Sequence, residues 1–256
     1  MGKIVALGGG VFMGKDENLF PAAMRSTHQA ILRLTGKQQP KVLYIPTAAD
    51  DSADHIKNFQ RYYIEKLGCE VEVLHLAGGS PGKAEIESKI SSADAIYVTG
   101  GKTFRMIGKW KRYGVDALLK QAYQKGTVMA GHSAGAICWF TYGCSDSFSD
   151  SPSPAKRKPF RVSALGIFNA LLCPHYDSEP VRQPALKKIM KRTPGLVAIA
   201  LDEYAALEIV DGKYRILTAK PSAKACRAYW QNGKYTLEEI KSNREPQDFQ
   251  ALLSKN

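Results

Sequence analysis

The chain has 256 residues, 44% hydrophobic and 23% charged, which excludes a disordered or fibrous protein and suffices for one full core. The 36 Lys and Arg against 24 Asp and Glu leave a net +12, but the basic residues are dispersed and no helix-turn-helix, zinc-finger or RNA-binding signature accompanies them, so a solvated basic surface and no nucleic-acid partner are expected. Five cysteines without a C-x-x-C pair argue against a zinc site or disulfide scaffold; the absence of an export signal and of an apolar run near 18 residues points to the cytoplasm and to no membrane partner.

Residues 4–7 form a short apolar run ending in Gly8-Gly9-Gly10, which reads as a buried strand feeding a turn. Residues 20–35 have helical spacing, with Phe20, Met24, His28, Ile31 and Leu34 near one face. Strands are expected at 42–45, 71–74, 95–98 and 127–130, and helices at 53–66, 83–91, 103–110 and 114–124. Such alternation implies βαβ units, a mainly parallel sheet apolar on both faces, and a site at the carboxyl ends of the strands. The second half is less regular. Residues 143–160, rich in Ser, Pro and Lys, read as a surface loop, 180–192 as a basic helix, and 197–201, 205–210 and 214–218 as strands, the last two joined at Asp211-Gly212. No linker divides the chain, so a single domain over residues 1–256 is expected.

The chemistry centres on Gly131-His132-Ser133-Ala134-Gly135. A G-x-S-x-G between an expected strand and a helix starting over 136–140 is the context of a nucleophile elbow: small neighbours let a strained bend push the serine Oγ into the open. Ser133 is therefore the candidate nucleophile, and the N–H of Ala134 faces a developing oxyanion. A second donor is available at Gly100-Gly101, after the preceding strand. Gly8-x-Gly10 lacks the third glycine of a dinucleotide fingerprint, since position 13 is Met, and no cofactor is expected.

Of five histidines, His28 sits on an apolar helix face, His55 in a helix, His75 at a distant strand end, and His132 should point away from Oγ. His175, ending an apolar run after Pro174, is the candidate base. A carboxylate must orient it. Asp146 and Asp150 follow the elbow, Asp202 and Glu203 follow a strand, and Asp177 is too near in sequence to meet Nδ1; spacing leaves Asp146 and Glu203 equal.

In this order the runs 4–10, Thr99-Gly100-Gly101, Gly131-His132-Ser133-Ala134-Gly135-Ala136, Cys173-Pro174-His175-Tyr176-Asp177 and Asp202-Glu203-Tyr204-Ala205-Ala206-Leu207 resemble the peptidase E family of serine peptidases, related to the cyanophycinases, over roughly residues 3–220. The resemblance implies a flavodoxin-like three-layer α/β sandwich related to class I glutamine amidotransferases. It implies Ser133 as nucleophile, His175 as base, and Gly101 and Ala134 as the oxyanion hole. The third residue matches Asp146 on the dipeptidase pattern and Glu203 on the cyanophycinase pattern. Lys102 stands where members usually carry Asn, and the loop 147–160 differs from the dipeptidases. The family's dipeptidases take an acidic residue on the amino side of the cleaved bond, so the expected partner is a small peptide with an N-terminal Asp; a homodimer is left open. Arg182, seven residues after His175, is the candidate for binding the acidic group. Rival readings are a serine esterase, against which the absence of an HGGG-type segment argues, and an inactive binding module on the same fold, against which Ser133 and His175 argue.

Overall fold

The computed structural model describes residues 2–10, 22–149, 151, 153–242 and 245–255. Phe20, Met13 and Asp150, named above, lie outside them. The first half gives β1 (Lys3–Leu7), α1 (Arg25–Arg33), β2 (Lys41–Ile45), α2 (Ala53–Arg61), β3 (Glu70–Val73), α3 (Lys83–Ser92), β4 (Ala95–Val98), α4 (Thr103–Tyr113), α5 (Val115–Gln124) and β5 (Val128–His132). The second half gives α6 (Ala134–Ile137), β6 (Phe140–Ser145), β7 (Phe160–Ser163), β8 (Phe168–Cys173), α7 (Arg182–Lys191), β9 (Val197–Leu201), β10 (Ala205–Val210), β11 (Lys213–Thr218), β12 (Ala225–Gln231), β13 (Lys234–Glu239), β14 (Gln247–Asp248) and α8 (Phe249–Leu253).

Two sheets result. The larger has the order β14-β11-β10-β1-β5-β4-β2-β3. Its stretch from β1 to β3 is parallel throughout, and β10, β11 and β14 extend it antiparallel. Counted from β2, the strands β3-β2-β4-β5 follow the 2-1-3-4 order of flavodoxin-like sheets, with β1 in the fifth place. The smaller sheet has the order β13-β12-β9-β8-β6-β7.

Alternation along each strand explains the layering. In β1, Ile4 and Ala6 enter one core and Val5 and Leu7 the other, all fully buried. The same split places Ile96 and Val98 of β4 opposite Ala95 and Tyr97. One face meets Ile86, Met106, Trp110 and Leu119 from α3, α4 and α5; the other meets Ile31 of α1 and Phe59 of α2. The large sheet is thus the middle layer of a three-layer α/β sandwich. The first core continues onto the second sheet through Ile137, Leu172, Ile199 and Leu201, while α7 covers that sheet's far face with Leu186, Ile189 and Met190.

Three differences from the sequence reading matter for the site. The helix after Ser133 is a single turn, because the apolar run Trp139-Phe140 leaves it to begin the second sheet. Residues expected as a surface loop, 143–145, complete β6, buried between neighbours β7 and β8. The strands expected at 197–201 and 205–210 lie in different sheets, so Asp202-Glu203-Tyr204 is the crossing between them.

Candidate active site

Ser133 stands at the end of β5 with φ 53° and ψ −114°, a conformation that costs a non-glycine residue about 1–3 kcal/mol and persists only where its surroundings impose it. Packing imposes it here. A Cβ on Gly131 would lie 2.5 Å from the Gly135 carbonyl oxygen, and one on Gly135 would lie 2.0 Å from that of Val98, so neither position admits a side chain. The Ser133 N–H donates to the Leu7 carbonyl at 3.2 Å, tying the elbow to the end of β1.

The glycine pair after β4 lies against this elbow. A Cβ on Gly100 would come 3.1 Å from the Ser133 Cβ and 2.8 Å from His132 Nε2. Gly101 has φ 137° and passes so close to Ala48 that a Cβ would sit 2.1 Å from its carbonyl oxygen, which instead accepts the Lys102 N–H at 2.7 Å. Among the described residues the N–H groups of Gly101 and Ala134 have no acceptor within the chain. His132 points away from the serine, as its place in the turn suggests: Nε2 lies 3.0 Å from the Gly100 N and Nδ1 3.2 Å from the Tyr97 hydroxyl. Burial, with smaller contributions from the charges of His175, His28 and His55, pushes its pKa down to about 3.

His175 follows β8 with φ 55°. Its N–H donates to the Gly8 carbonyl at 3.0 Å, and the next N–H, of Tyr176, donates to Leu201 at 3.1 Å. Its Nδ1 lies 2.5 Å from Glu203 Oε1. The Glu203 carboxylate also accepts the Gly10 N–H and the Ser178 hydroxyl, the latter at 3.1 Å, while the Glu203 N–H donates to Asp177 Oδ1 at 2.8 Å. Burial alone would raise the Glu203 pKa, but hydrogen bonds from His175, Gly10 and Ser178 and the charge of His175 outweigh it and hold the carboxyl below its usual range. The triple glycine after β1 now has a physical reason. A Cβ on Gly9 would fall 2.3 Å from Glu203 Oε2, and Gly10, at φ 77°, aims its N–H at the same carboxylate. The sequence offered the glycines but not their partner, which arrives from about 190 residues away (|i−j| = 193 for Gly10 and Glu203).

Asp146 is placed differently. It pairs with Arg157 Nη1 at 3.1 Å and Arg182 Nη2 at 3.3 Å; Glu179 meets the same two arginines at 2.9 and 2.6 Å. The four side chains close a ring of alternating charge. Arg182, 2% exposed, spends its remaining Nη1 on the Cys144 carbonyl at 2.7 Å, so all three guanidinium nitrogens are engaged inside the protein. Arg157, unremarked in the sequence because it lies in a surface-like basic cluster, has a side chain 28% exposed and lines the cavity.

Ser133 and His175, with Gly101 and Lys102, line two adjoining cavities. One, of about 210 Å³, is walled by Asp146, Ser149, Arg157, Glu179 and Arg182. The other, of about 480 Å³, is walled by Ala48, Ala49, Asp50, Ser52, His55, Gly100 and His132. The Lys102 ammonium crosses the charged side to the Ser149 carbonyl at 2.7 Å. His55, read only as a helix residue, thus lies in the more open cavity, because α2 begins at the carboxyl edge of the sheet. Among the described residues no group of three or more His, Cys, Asp or Glu side chains is arranged to hold a metal ion, and all five cysteines are free thiols.

Comparison with known proteins decides the family. The model of peptidase family S51 matches residues 4–217, most of the chain and both halves of the site. The chain belongs to peptidase family S51. It is accordingly a serine peptidase. It is 34% identical over 228 residues to the uncharacterized peptidase YgaJ of Bacillus subtilis, covering 89% of this chain and 92% of that one. It is 24% identical over 213 residues to peptidase E of a Nostoc species, covering 80% and 81%. The solved structure of a peptidase from an acI-B1 Actinobacterium superposes with a TM-score of 0.61 at 20% identity, covering 92% of this chain and 96% of that one, which supports the shared α/β fold. Among the described residues of this S51 peptidase no helix is long and apolar enough to cross a membrane.

Proposed function

We propose that this S51 peptidase hydrolyses short peptides, preferentially dipeptides with an N-terminal Asp, through a Ser133–His175–Glu203 triad and an acyl-enzyme. The observation that carries the mechanism is the 2.5 Å contact between His175 Nδ1 and Glu203 Oε1, made at the rim of the cavities that Ser133 also lines. A carboxylate on Nδ1 leaves Nε2 as the free base. His175 takes the Ser133 proton as Oγ attacks the peptide carbonyl; Glu203 stabilises the imidazolium; the imidazolium then protonates the leaving amine. The oxygen that becomes negative meets the N–H groups of Gly101 and Ala134. Water, activated by His175, then releases the acyl group.

The two cavities support the substrate class. A peptidase needs space on both sides of the scissile bond, and Ser133 sits where the two meet. The cavity of about 210 Å³ suits a single residue, and its wall offers Lys102 and Arg157 to a side-chain carboxylate and Asp146 and Glu179 to an α-ammonium. In this reading Arg182 acts from behind, fixing Glu179 and Asp146, and Arg157 rather than Arg182 reaches the ligand.

Hydrolysis of a dipeptide panel, Asp-X beside neutral and basic N-termini, by wild type and Ser133→Ala tests the proposal. Asp-X cleavage that disappears in the variant is expected. Preferential cleavage of neutral or basic dipeptides removes the specificity, and turnover surviving in Ser133→Ala removes the mechanism.

A further inference from the structure

The residue before the nucleophile has hydrogen-bond partners that fix its chemical form. Gly100 offers an N–H, which can only donate, so His132 Nε2 must present a lone pair at 3.0 Å. A neutral imidazole carries one hydrogen, which therefore sits on Nδ1, 3.2 Å from the Tyr97 hydroxyl oxygen. The ring is 5% exposed and Tyr97 1% exposed, so both contacts are largely shielded, although His132 and Gly100 border the more open cavity. Both partners belong to the neighbouring strand β4 and its exit, where Val98 pairs with Gly131. The groups packed around the ring are the Tyr97 hydroxyl and, in a second tier, His28, His55 and His175.

What this bond holds is the loop that carries Gly101. Gly100 lies on the Ser133 Cβ, and the following residue turns through φ 137° over the Ala48 carbonyl. Without side chains, Gly100 and Gly101 have no rotameric contacts to fix their peptide planes, and a glycine pair is the most freely rotating dipeptide available. The imidazole lone pair below and the Ala48 carbonyl beyond, which accepts the Lys102 N–H, are the two fixed points of the loop.

We infer that His132 is a positioning residue for catalysis: its Nε2 lone pair anchors the Gly100 N–H and thereby aims the Gly101 N–H at the oxyanion formed at Ser133. The inference rests on the triad reading proposed above. His132 borders the larger cavity, but both its ring nitrogens are engaged by Gly100 and Tyr97, so in this reading it acts through Gly100. A preorganised donor does its work when charge develops on the substrate oxygen, so loss of the anchor should appear in kcat rather than in KM.

His132→Gln and His132→Met separate this role from simple packing. Glutamine carries its amide oxygen as many bonds from the backbone as Nε2 and can accept the Gly100 N–H; methionine has similar length and no comparable acceptor. With the preferred dipeptide, His132→Met is expected to lose about 100-fold in kcat with KM within about twofold, as when one oxyanion donor is removed, and His132→Gln to regain most of it. Fluorophosphonate labelling of Ser133 should slow and recover in the same order. Equal losses in both variants, an unchanged kcat in His132→Met, or a loss confined to KM would overturn the inference. A wild type inert to both peptide and probe would bring down the triad reading itself, and this inference with it. Should His132→Met not fold, ¹⁵N-histidine spectra of the wild type decide: a protonated Nδ1 and bare Nε2 support the anchor, and the opposite tautomer refutes it.

Discussion

Acid should unfold this peptidase through two histidines that lie inside it. His28 donates or accepts at 2.7 Å with the Tyr63 hydroxyl and His132 bridges Gly100 and Tyr97; burial pushes the pKa of each down to about 3. An unfolded histidine titrates near 6.5, so between pH 6.5 and 3 the unfolded chain binds more protons than the folded one, and stability falls as pH falls. At pH 5 the ratio of unfolded to folded proton binding is worth about 2 kcal/mol for each residue, against almost nothing at pH 7. The assay is urea unfolding of the wild type, His28→Asn and His132→Gln at both pH values. Each single variant is expected to shrink the difference in unfolding free energy between pH 7 and 5 by about 2 kcal/mol, whatever it does to stability at pH 7. Groups that titrate elsewhere contribute equally to all three proteins and cancel. A variant whose pH difference matches wild type within about 0.5 kcal/mol would show that its histidine takes up a proton in the folded state, and for His132→Gln that outcome would also bring down the tautomer argument.

Glu203→Gln should keep the fold and lower kcat by about 10³–10⁴-fold, the loss expected when the carboxylate orienting a catalytic histidine becomes an amide, whereas Asp146→Asn should leave kcat for neutral dipeptides within about tenfold; steady-state kinetics on both variants distinguishes the two carboxylates, and the reverse ranking would refute the triad. Arg182→Met leaves the buried Glu179 and its neighbour Asp146 to share Arg157 alone and is expected to cost up to about 3–5 kcal/mol in urea unfolding; a loss below about 1 kcal/mol would mean that the ring of charges relaxes into water. Ser133→Gly removes the positive-φ strain of the elbow, so it should abolish turnover while raising stability by about 1 kcal/mol, with a fall in stability counting against the strain. Because the Glu203 carboxyl titrates below its usual range in the folded state, it contributes stability above the unfolded carboxyl pKa that is lost as pH falls through the folded value; Glu203→Gln should flatten that limb of the curve below about pH 4.5, and an unchanged limb would refute the contacts assigned to it.

The first half of the fold was legible because each strand is a short apolar run closed by a turn and each helix shows its period. The elbow was legible for the same reason, since a G-x-S-x-G needs only its local context to be read. The second sheet was legible only at β9, the strand expected at 197–201. Its strands β12 and β13 meet at Asn232-Gly233, a hairpin signal present in the sequence, but β6 starts from the apolar run that also looks like a helix after Ser133. Which carboxylate meets His175 was beyond spacing altogether. Asp146 and Glu203 each follow an element near the site, and only the switch of sheets between β9 and β10 turns Glu203 toward His175. Likewise Arg182 and Arg157 share one cavity wall and the same two carboxylates, but Arg182, at the start of a basic helix, is the more buried, whereas Arg157, in a Lys-Arg-Lys run, is the more exposed.

The end of β1 clips three segments together: Leu7 takes the Ser133 N–H, the Gly8 carbonyl takes the His175 N–H, and the Gly8 N–H donates to Ala205 just past Glu203. The serine therefore comes from one sheet, the histidine from the other, and the glutamate from the thread between them. A chain folded only through β5 holds the proposed nucleophile with no base beside it. On the proposed triad, hydrolytic power is a property of the joint and not of either half, so a partly unfolded copy is expected to be chemically silent, and activity itself would become a gauge of whether the two sheets have met.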